Sequence, residues 1–153
     1  MNSFQIVRRN DPLAVERLLR ALPDWFGIES SLLEYVADAR TKLSYLAVEG
    51  ESDAVVGVLL GTKHNRESAE VHLMAVAPGR HRQGIGRSLV EAFEADLLGQ
   101  QFRILQVKTL GPSRPDENYR QTTDFYLAMG FIPLEEFPEL WPENPCLILV
   151  KPL

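Results

Sequence analysis

Apolar residues recur along the chain with the two spacings that distinguish helices from strands. The first helical set follows i, i+3, i+4 and i+7 and consists of Val15, Leu18, Leu19 and Leu22. Asp11 before Pro12 has the form of an N-cap followed by proline in the first turn, and Pro23 ends the pattern. A second helix is predicted from near Ser31, where a glutamate three residues on completes a capping box, to about Arg40.

Period-two apolar patterns and short turns predict seven strands. Their approximate ranges are 4–8, 43–49, 54–61, 69–77, 103–110, 131–137 and 146–151. Two more helices are predicted, one from about Gly84 to Gly99 and one over about 119–129. The tight link Gly50–Asp53 indicates a hairpin, whereas the later helices indicate β-α-β crossovers. We therefore expect a mixed α/β fold, with a central mixed sheet of about seven strands flanked by about four helices, in a single domain over residues 1–153.

Composition excludes several classes of protein. The 153 residues are 45% hydrophobic and 24% charged, which is typical of a folded soluble domain. We expect no membrane span, because no apolar run approaches the ~18 residues that one requires. The first residues contain no apolar signal-peptide core, and Cys146 is the only cysteine, so a cytoplasmic location is expected. A single cysteine and three scattered histidines predict no metal site, and a net charge of -5 argues against a nucleic-acid partner.

The most informative segment runs from His72 to Arg87. A buried strand leads into Pro78, a basic turn follows, and Gly84-Ile85-Gly86 begins a helix. Helix N-termini present unpaired N–H groups, and glycines allow close approach to the backbone, so this turn suits a phosphate group. The segment lacks the third glycine of a dinucleotide fingerprint. A tight turn with solvated arginines (Arg80, Arg82 and Arg87) is the alternative.

The whole segment resembles the acetyl-CoA signature of the GNAT superfamily of N-acetyltransferases. Val76-Ala77-Pro78 matches the end of its strand and Gly84-Ile85-Gly86 matches its glycines, while His81 replaces the usual glutamine or arginine. The resemblance implies that Met74, Ala75 and Val76 meet the pantetheine arm and acetyl group through their backbone. It also implies that the pyrophosphate is surrounded by His81, Arg82, Gln83, Gly84, Ile85, Gly86 and Arg87.

A second block, Tyr119 to Phe131, is similar to another GNAT motif. Its matching residues are Phe125, Tyr126, Gly130 and Phe131. Tyr119 stands in place of the family's asparagine, and Thr122 stands in place of its alanine. The order of elements agrees too, so the resemblance covers essentially the whole chain.

The resemblance implies acetyl transfer from acetyl-CoA to a primary amine by direct attack in a ternary complex. Tyr126 occupies the family position of the residue that stabilises the leaving thiolate, although its spacing in the helix also suits a core tyrosine. Glu70 matches the base of the histone-acetyltransferase branch. The alternatives at that position are an exposed carboxylate, the neighbouring His72 as base, or a water chain.

Other conspicuous residues admit a structural and a functional interpretation. Trp25 and Phe26 lie where GNAT enzymes often build an acceptor wall, and Trp141 lies among carboxylates that could hold a cationic amine or simply in a packed loop. His64 is expected to be solvated, and Cys146 is expected to pack as a small apolar residue. The amine acceptor is expected to be a small molecule or a peptide, and its identity is left open. Whether the chain forms a homodimer is left open too.

Two rival functions remain. The chain could be a non-catalytic acyl-CoA-binding module, because both motifs concern the cofactor. It could also be a nucleotide-binding protein that uses the Gly84-Ile85-Gly86 turn.

Overall fold

The computed structural model describes residues 3–153, which contain seven strands and four helices. The strands are β1 (Phe4–Arg8), β2 (Leu43–Glu49), β3 (Val55–Lys63), β4 (Ser68–Val76), β5 (Ile104–Leu110), β6 (Ile132–Phe137) and β7 (Cys146–Pro152). The helices are α1 (Pro12–Arg20), α2 (Glu29–Asp38), α3 (Ile85–Gly99) and α4 (Glu117–Ala128). Met1 and Asn2, which open the segment where no signal peptide is predicted, lie outside the described residues.

The strands form one sheet of order β1-β2-β3-β4-β5-β7-β6. The pairs β1/β2, β2/β3, β5/β7 and β6/β7 are antiparallel. Strands β4 and β5 are parallel, with Glu70 opposite Gln106. The predicted mixed sheet with four helices is therefore confirmed. A parallel pair needs a crossover connection, and α3 lies in the segment that joins β4 to β5.

Backbone contacts divide the chain into two compact units, with the boundary inside β4. The first unit comprises Met1–Thr62 and His72–Asp96, and the second comprises Lys63–Val71 and Leu97–Leu153. The prediction of a single domain is not tested by this division and stays a prediction.

The core of the first unit forms where α1 and α2 cover their strands. Its most deeply buried members include Val15, Leu19, Ala39, Leu46, Val58 and Leu60. The predicted cap of α1 is confirmed, because the Asp11 side chain accepts a hydrogen bond from Ala14 N–H at 3.1 Å. The first-turn proline costs no hydrogen bond there, because its N–H would have no intrahelical partner.

The predicted start of α2 is wrong. The helix begins at Glu29, with Ile28 as the N-cap and no side-chain cap, so the capping box from Ser31 does not form. Arg20 Nη1 and Nη2 donate to the two Glu29 carboxylate oxygens at 2.8 and 2.9 Å. This contact with α1 and the favourable position of an acid in the first turn stabilise the earlier start.

Two glycines of β3 allow α3 to lie close to this strand in the first unit. A Cβ placed on Gly57 would lie 2.7 Å from Ile85 Cγ2, and one on Gly61 would lie 2.5 Å from Phe93 Cζ. The predicted apolar stripe of α3 is buried, with Ile85 and Phe93 only 1% and 0% exposed. Close packing at these glycines fixes the helix whose N-terminus follows the glycine turn.

The second unit contains helix α4 together with strands β5, β6 and β7. The buried apolar residues of this unit include Leu105, Val107, Met129, Phe131 and Leu149. Helix α4 begins two residues earlier than predicted, at Glu117, because the Asp116 side chain accepts hydrogen bonds from Asn118 N–H and Tyr119 N–H.

Candidate active site

The glycine turn between β4 and α3 has an unusual backbone. Gly79, Arg82 and Gly84 have φ values of 79°, 64° and 83°. A Cβ built on either glycine meets no heavy atom within 4 Å, so the space beside the backbone is open. At the start of α3 the Ser88 N–H donates to the Gly84 carbonyl at 3.0 Å. The N–H groups of residues 85–87 therefore lie ahead of the helical ladder, where an anion can accept from them.

Side chains around the turn divide into buried and exposed groups. Ile85 is buried, so its side chain belongs to the core and not to the surface of the turn, while Gly86 is half-buried. Arg82, Gln83 and Arg87 are exposed. An α3 first turn without an acidic residue leaves the positive end of the helix dipole uncompensated. The turn therefore offers an anion open space beside the backbone and a positive helix end.

Arg80 does not fit the alternative interpretation of the turn, in which its three arginines are solvated. Arg80 Nη1 lies 2.6 Å from Glu49 Oε1, and its Nε donates to Gln83 Oε1 at 3.0 Å. The guanidinium of Arg80, followed by the Ser52 hydroxyl, lowers the pKa of the Glu49 carboxyl. Arg80 therefore links the turn to the end of β2 and is already paired with a carboxylate.

The ring of His81 contacts the end of β4. His81 Nε2 donates to the Val76 carbonyl at 2.9 Å, and Trp25 meets the same ring edge-on with centroids 5.9 Å apart. Met74 and Val76 are half-buried, whereas Ala75 is only 5% exposed. The side chain of His81 thus stabilises the turn by binding the end of β4.

Glu70 is buried, so the alternative of an exposed carboxylate at the strand start is wrong. Its side chain is 8% exposed, and Oε1 lies 2.7 Å from His64 Nε2. The same oxygen accepts from Gln106 Nε2 at 3.1 Å and from Lys108 Nζ at 3.4 Å. Three donors compensate the desolvation of the carboxylate, which is the condition under which an ionised acid can be buried.

His64 is therefore not simply solvated, as the sequence predicted. Its side chain is 40% exposed, and it contacts water and the buried Glu70 at once. Sequence spacing alone gave no indication of this pair, because His64 lies in the loop before β4. The loop backbone places it there through the His64 N–H to Ser68 C=O bond at 3.0 Å.

A second histidine–carboxylate pair lies in the first unit. His72 Nε2 lies 2.8 Å from Asp38 Oδ2, and the two side chains are 28% and 34% exposed. Tyr35 packs edge-on against His72, with ring centroids 5.5 Å apart, and Phe26 packs edge-on against Tyr35 at 5.9 Å. The His72 ring is therefore held in one orientation by a carboxylate and an aromatic neighbour.

Tyr126 is 3% exposed and lies in the second unit. Phe125 and Phe131 meet its ring edge-on, each with centroids 5.2 Å apart. Burial raises the pKa of the Tyr126 phenol above its ordinary value. The hydroxyl therefore stays protonated at neutral pH and keeps its ability to donate a hydrogen bond.

Cys146 packs as a small apolar residue, as predicted, with 0% exposure. Burial raises the pKa of its thiol, and the nearby Glu70 charge acts in the same direction while Lys108 opposes it.

In the acidic connection between β6 and β7, Trp141 is half-buried. Just before this connection, Glu136 accepts hydrogen bonds from the Ser113 N–H and hydroxyl at 3.0 and 2.7 Å. This glutamate therefore holds the loop between β5 and α4 and is not free to bind a cationic amine.

Within residues 3–153 no group of three or more metal-ligating side chains lies together. Nor does any helix in this part of the chain have the length and apolar character needed to cross a membrane.

Comparison with known proteins gives one family match and many similar folds. Residues 40–133 match the family profile described as acetyltransferase (GNAT) domain. A GNAT-family protein from Desulfovibrio desulfuricans is 21% identical, with a TM-score of 0.81 over 98% of this chain and 99% of its own. A search of curated proteins gives no match.

Two other similar structures contain the cofactor. A GNAT family acetyltransferase from Elizabethkingia anophelis with acetyl-CoA bound is 18% identical, with a TM-score of 0.73 over 100% of both chains. An aminoglycoside 6'-N-acetyltransferase complexed with coenzyme A is 20% identical, with a TM-score of 0.71 over 97% of this chain and 96% of its own.

Proposed function

Because the chain belongs to the GNAT acetyltransferase family, we propose that it is an N-acetyltransferase which moves an acetyl group from acetyl-CoA to a primary amine. The observation that carries this proposal is the open turn at the N-terminus of α3, with three positive φ values and free space beside Gly84. The turn lies inside the segment that matches the family profile. Similar structures that hold acetyl-CoA or coenzyme A support the cofactor.

Backbone donors hold the cofactor in this proposal. The N–H groups of residues 81–87 bind the pyrophosphate, and exposed Arg82 and Arg87 add positive charge at the rim. The backbone of residues 74–76 contacts the pantetheine arm. His81 contributes mainly through its backbone, because its ring already donates to the Val76 carbonyl.

Acetyl-CoA supplies the thioester carbonyl that the acceptor amine attacks. An amine with a pKa near 10.4 is neutral in only about one molecule in 2,500 at pH 7, which adds roughly 4.6 kcal/mol to the barrier. A base that removes the ammonium proton therefore accelerates the reaction. We assign this base to Glu70, whose second oxygen, Oε2, remains for the substrate while Oε1 binds three donors.

His72 is the competing base. Asp38 and Tyr35 hold its ring in one orientation, as a general base requires. Replacing each histidine or carboxylate separately distinguishes the two assignments.

Tyr126 is assigned to the leaving sulfur. A phenol that stays protonated can donate a hydrogen bond to the thiolate as the carbon–sulfur bond breaks, and burial keeps Tyr126 protonated. The amine attacks directly, with no acyl-enzyme. Buried Cys146, with a raised thiol pKa, supports this choice because a nucleophilic cysteine needs a thiolate.

The acceptor is a small-molecule or peptide amine. Thiol release should be followed on a panel of amines that includes an aminoglycoside, amino acids, polyamines and peptides, with each acetylated product identified by mass spectrometry. CoA release with stoichiometric product from one amine class is expected. Saturable acetyl-CoA binding with no release on any amine would favour a binding module instead. Thermal stabilisation by ATP or NAD but not CoA would favour a nucleotide-binding protein.

A further inference from the structure

We propose that His64 carries protons between Glu70 and water during the reaction. The inference rests on the proposed function, because it concerns what happens to a proton after Glu70 has taken it from the acceptor. The protein residues that take part in this transfer all lie in the second unit.

Glu70 needs a route for that proton because its carboxyl has almost no direct access to water. The side chain is 8% exposed, and Oε1 is surrounded by His64, Gln106 and Lys108. A protonated carboxyl cannot serve a second turnover until the proton leaves. The route must therefore pass through a neighbouring side chain or a water molecule.

The contacts of Glu70 favour one of the three neighbours. The amide of Gln106 does not titrate, and the Lys108 ammonium already holds its full set of protons. An imidazole exchanges protons with water near neutral pH. His64 lies 2.7 Å from the carboxylate and is 40% exposed, so it contacts both the source and the solvent.

The transfer balances in four steps. At rest, neutral His64 carries its proton on Nε2 and donates it to the ionised Glu70. The substrate ammonium gives a proton to a Glu70 carboxylate oxygen, which becomes a carboxylic acid, and the neutral ring then exchanges through water to the tautomer that carries its proton on Nδ1. The acid gives its proton to the freed Nε2, and the imidazolium releases the Nδ1 proton to water or buffer. Glu70 is then ionised again and His64 carries its proton on Nε2, which is the starting state.

The charged and titratable groups that face the pair are few in the described structure. Lys108 faces Glu70 from β5, and Cys146 of β7 is close enough for both charges to affect its pKa. Arg66 and Glu67 are exposed on the same loop as His64. His64 lies nearer to the Glu70 carboxylate than Lys108 does, at 2.7 Å against 3.4 Å, and we therefore assign the relay to His64.

The test compares His64→Ala and His64→Gln with the neighbouring Arg66→Gln as the matched control. At saturating acceptor and acetyl-CoA, we expect His64→Ala to lower kcat about tenfold. Added imidazole should restore the kcat of His64→Ala. The same addition should change the kcat of the wild type and of Arg66→Gln by less than about twofold. His64→Gln should lower kcat to a similar extent, because its amide can hydrogen-bond to Glu70 but cannot accept and release a proton. Acetyl-CoA affinity should not change in any of them.

A second readout does not depend on turnover. The hydrogen-bonded Nε2–H of His64 should give a downfield proton NMR signal that Glu70→Gln shifts upfield or removes. Absence of the signal in the wild type would overturn the relay directly. CoA release that is unaffected by His64→Ala would overturn the relay alone. A wild type that shows the signal but acetylates no amine would instead refute the proposed function, and the relay with it.

Discussion

Two histidine–carboxylate pairs with nearly equal geometry lie in very different surroundings. His64 Nε2 is 2.7 Å from Glu70 in the second unit, and His72 Nε2 is 2.8 Å from Asp38 in the first. In the first of these pairs the carboxylate is 8% exposed and the imidazole 40%. In the other, the two exposures are 34% and 28%, which are nearly equal.

Burial, rather than distance, separates the two pairs. A buried carboxylate with three donors on one oxygen is a defined proton acceptor whose only contacts with solvent are indirect. The half-exposed Asp38 is open to solvent, and its 2.8 Å contact with Nε2 orients the His72 ring. We therefore expect the two carboxylates to contribute unequally to catalysis.

The largest predicted effect follows from Glu70→Gln, which removes the proposed base and keeps its shape. We expect kcat to fall about 100- to 1,000-fold with acetyl-CoA affinity nearly unchanged. Steady-state kinetics and calorimetry measure the two quantities. A loss that appeared only in acetyl-CoA affinity would show that Glu70 supports the cofactor site instead.

Tyr126→Phe tests a residue of the same unit that acts at the other end of the reaction. Loss of the donor to the leaving sulfur should lower kcat about 10- to 100-fold, again with little change in acetyl-CoA affinity. Tyr45→Phe serves as a control for the loss of a buried tyrosine hydroxyl, since the Tyr45 hydroxyl donates to Asp96 Oδ2 at 2.6 Å and has no part in the proposed reaction. Unchanged turnover in Tyr126→Phe at saturating substrates would remove the phenol from the mechanism.

The Arg80–Glu49 pair extends the comparison to the glycine turn. Because Arg80 Nη1 is 2.6 Å from Glu49, Glu49→Gln should loosen the turn and raise the KM for acetyl-CoA about threefold to tenfold. The value of kcat should stay the same. A change in kcat with unchanged KM would contradict a role in positioning the turn.

Asp38→Asn is expected to have the smallest effect on activity, a decrease in kcat of less than about threefold. The amide can still accept a hydrogen bond from the His72 ring. A loss that equals or exceeds that of Glu70→Gln would reverse the comparison and make His72 the base.

Stability at alkaline pH tests the burial of Tyr126 without any substrate. The folded protein holds its phenol pKa above the ordinary value near 10, so the unfolded chain ionises first. The stabilisation is complete below pH 10 and is lost as the pH rises above it. At about pH 10.5 the wild type should lose about 1 kcal/mol more unfolding free energy than Tyr126→Phe does. Equal losses in urea titrations would show that the phenol is solvated.

Sequence patterns predicted the elements well because local rules determined them. The N-cap at Asp11, the stripe of α3 and the hairpin between β2 and β3 all depend on residues close in the chain. The start of α2 was missed because a contact with Arg20, nine residues before Glu29, favoured another first turn.

The site was harder to predict because its groups meet through the sheet. Glu70 lies opposite Gln106, and Lys108 follows two residues on along β5, a register that no local pattern encodes. The pairings of His64 with Glu70 and Arg80 with Glu49 were missed for the same reason. His64 and His72, which have no partner that the sequence pattern indicates, each contact a carboxylate in the folded chain, and the two pairs differ in burial.

The most direct test of the central claim is a calorimetric titration with acetyl-CoA, because everything proposed for catalysis requires the glycine turn to bind its diphosphate. Wild-type protein should bind acetyl-CoA saturably, and Gly84→Val should bind it at least about tenfold more weakly. Valine disfavours the φ of 83° at this position, and its side chain would occupy the open space beside the backbone that the diphosphate needs. Gly99→Ala, at the other end of α3, should bind like the wild type. No saturable heat in the wild type at millimolar acetyl-CoA, or equal affinity in Gly84→Val, would contradict the claim.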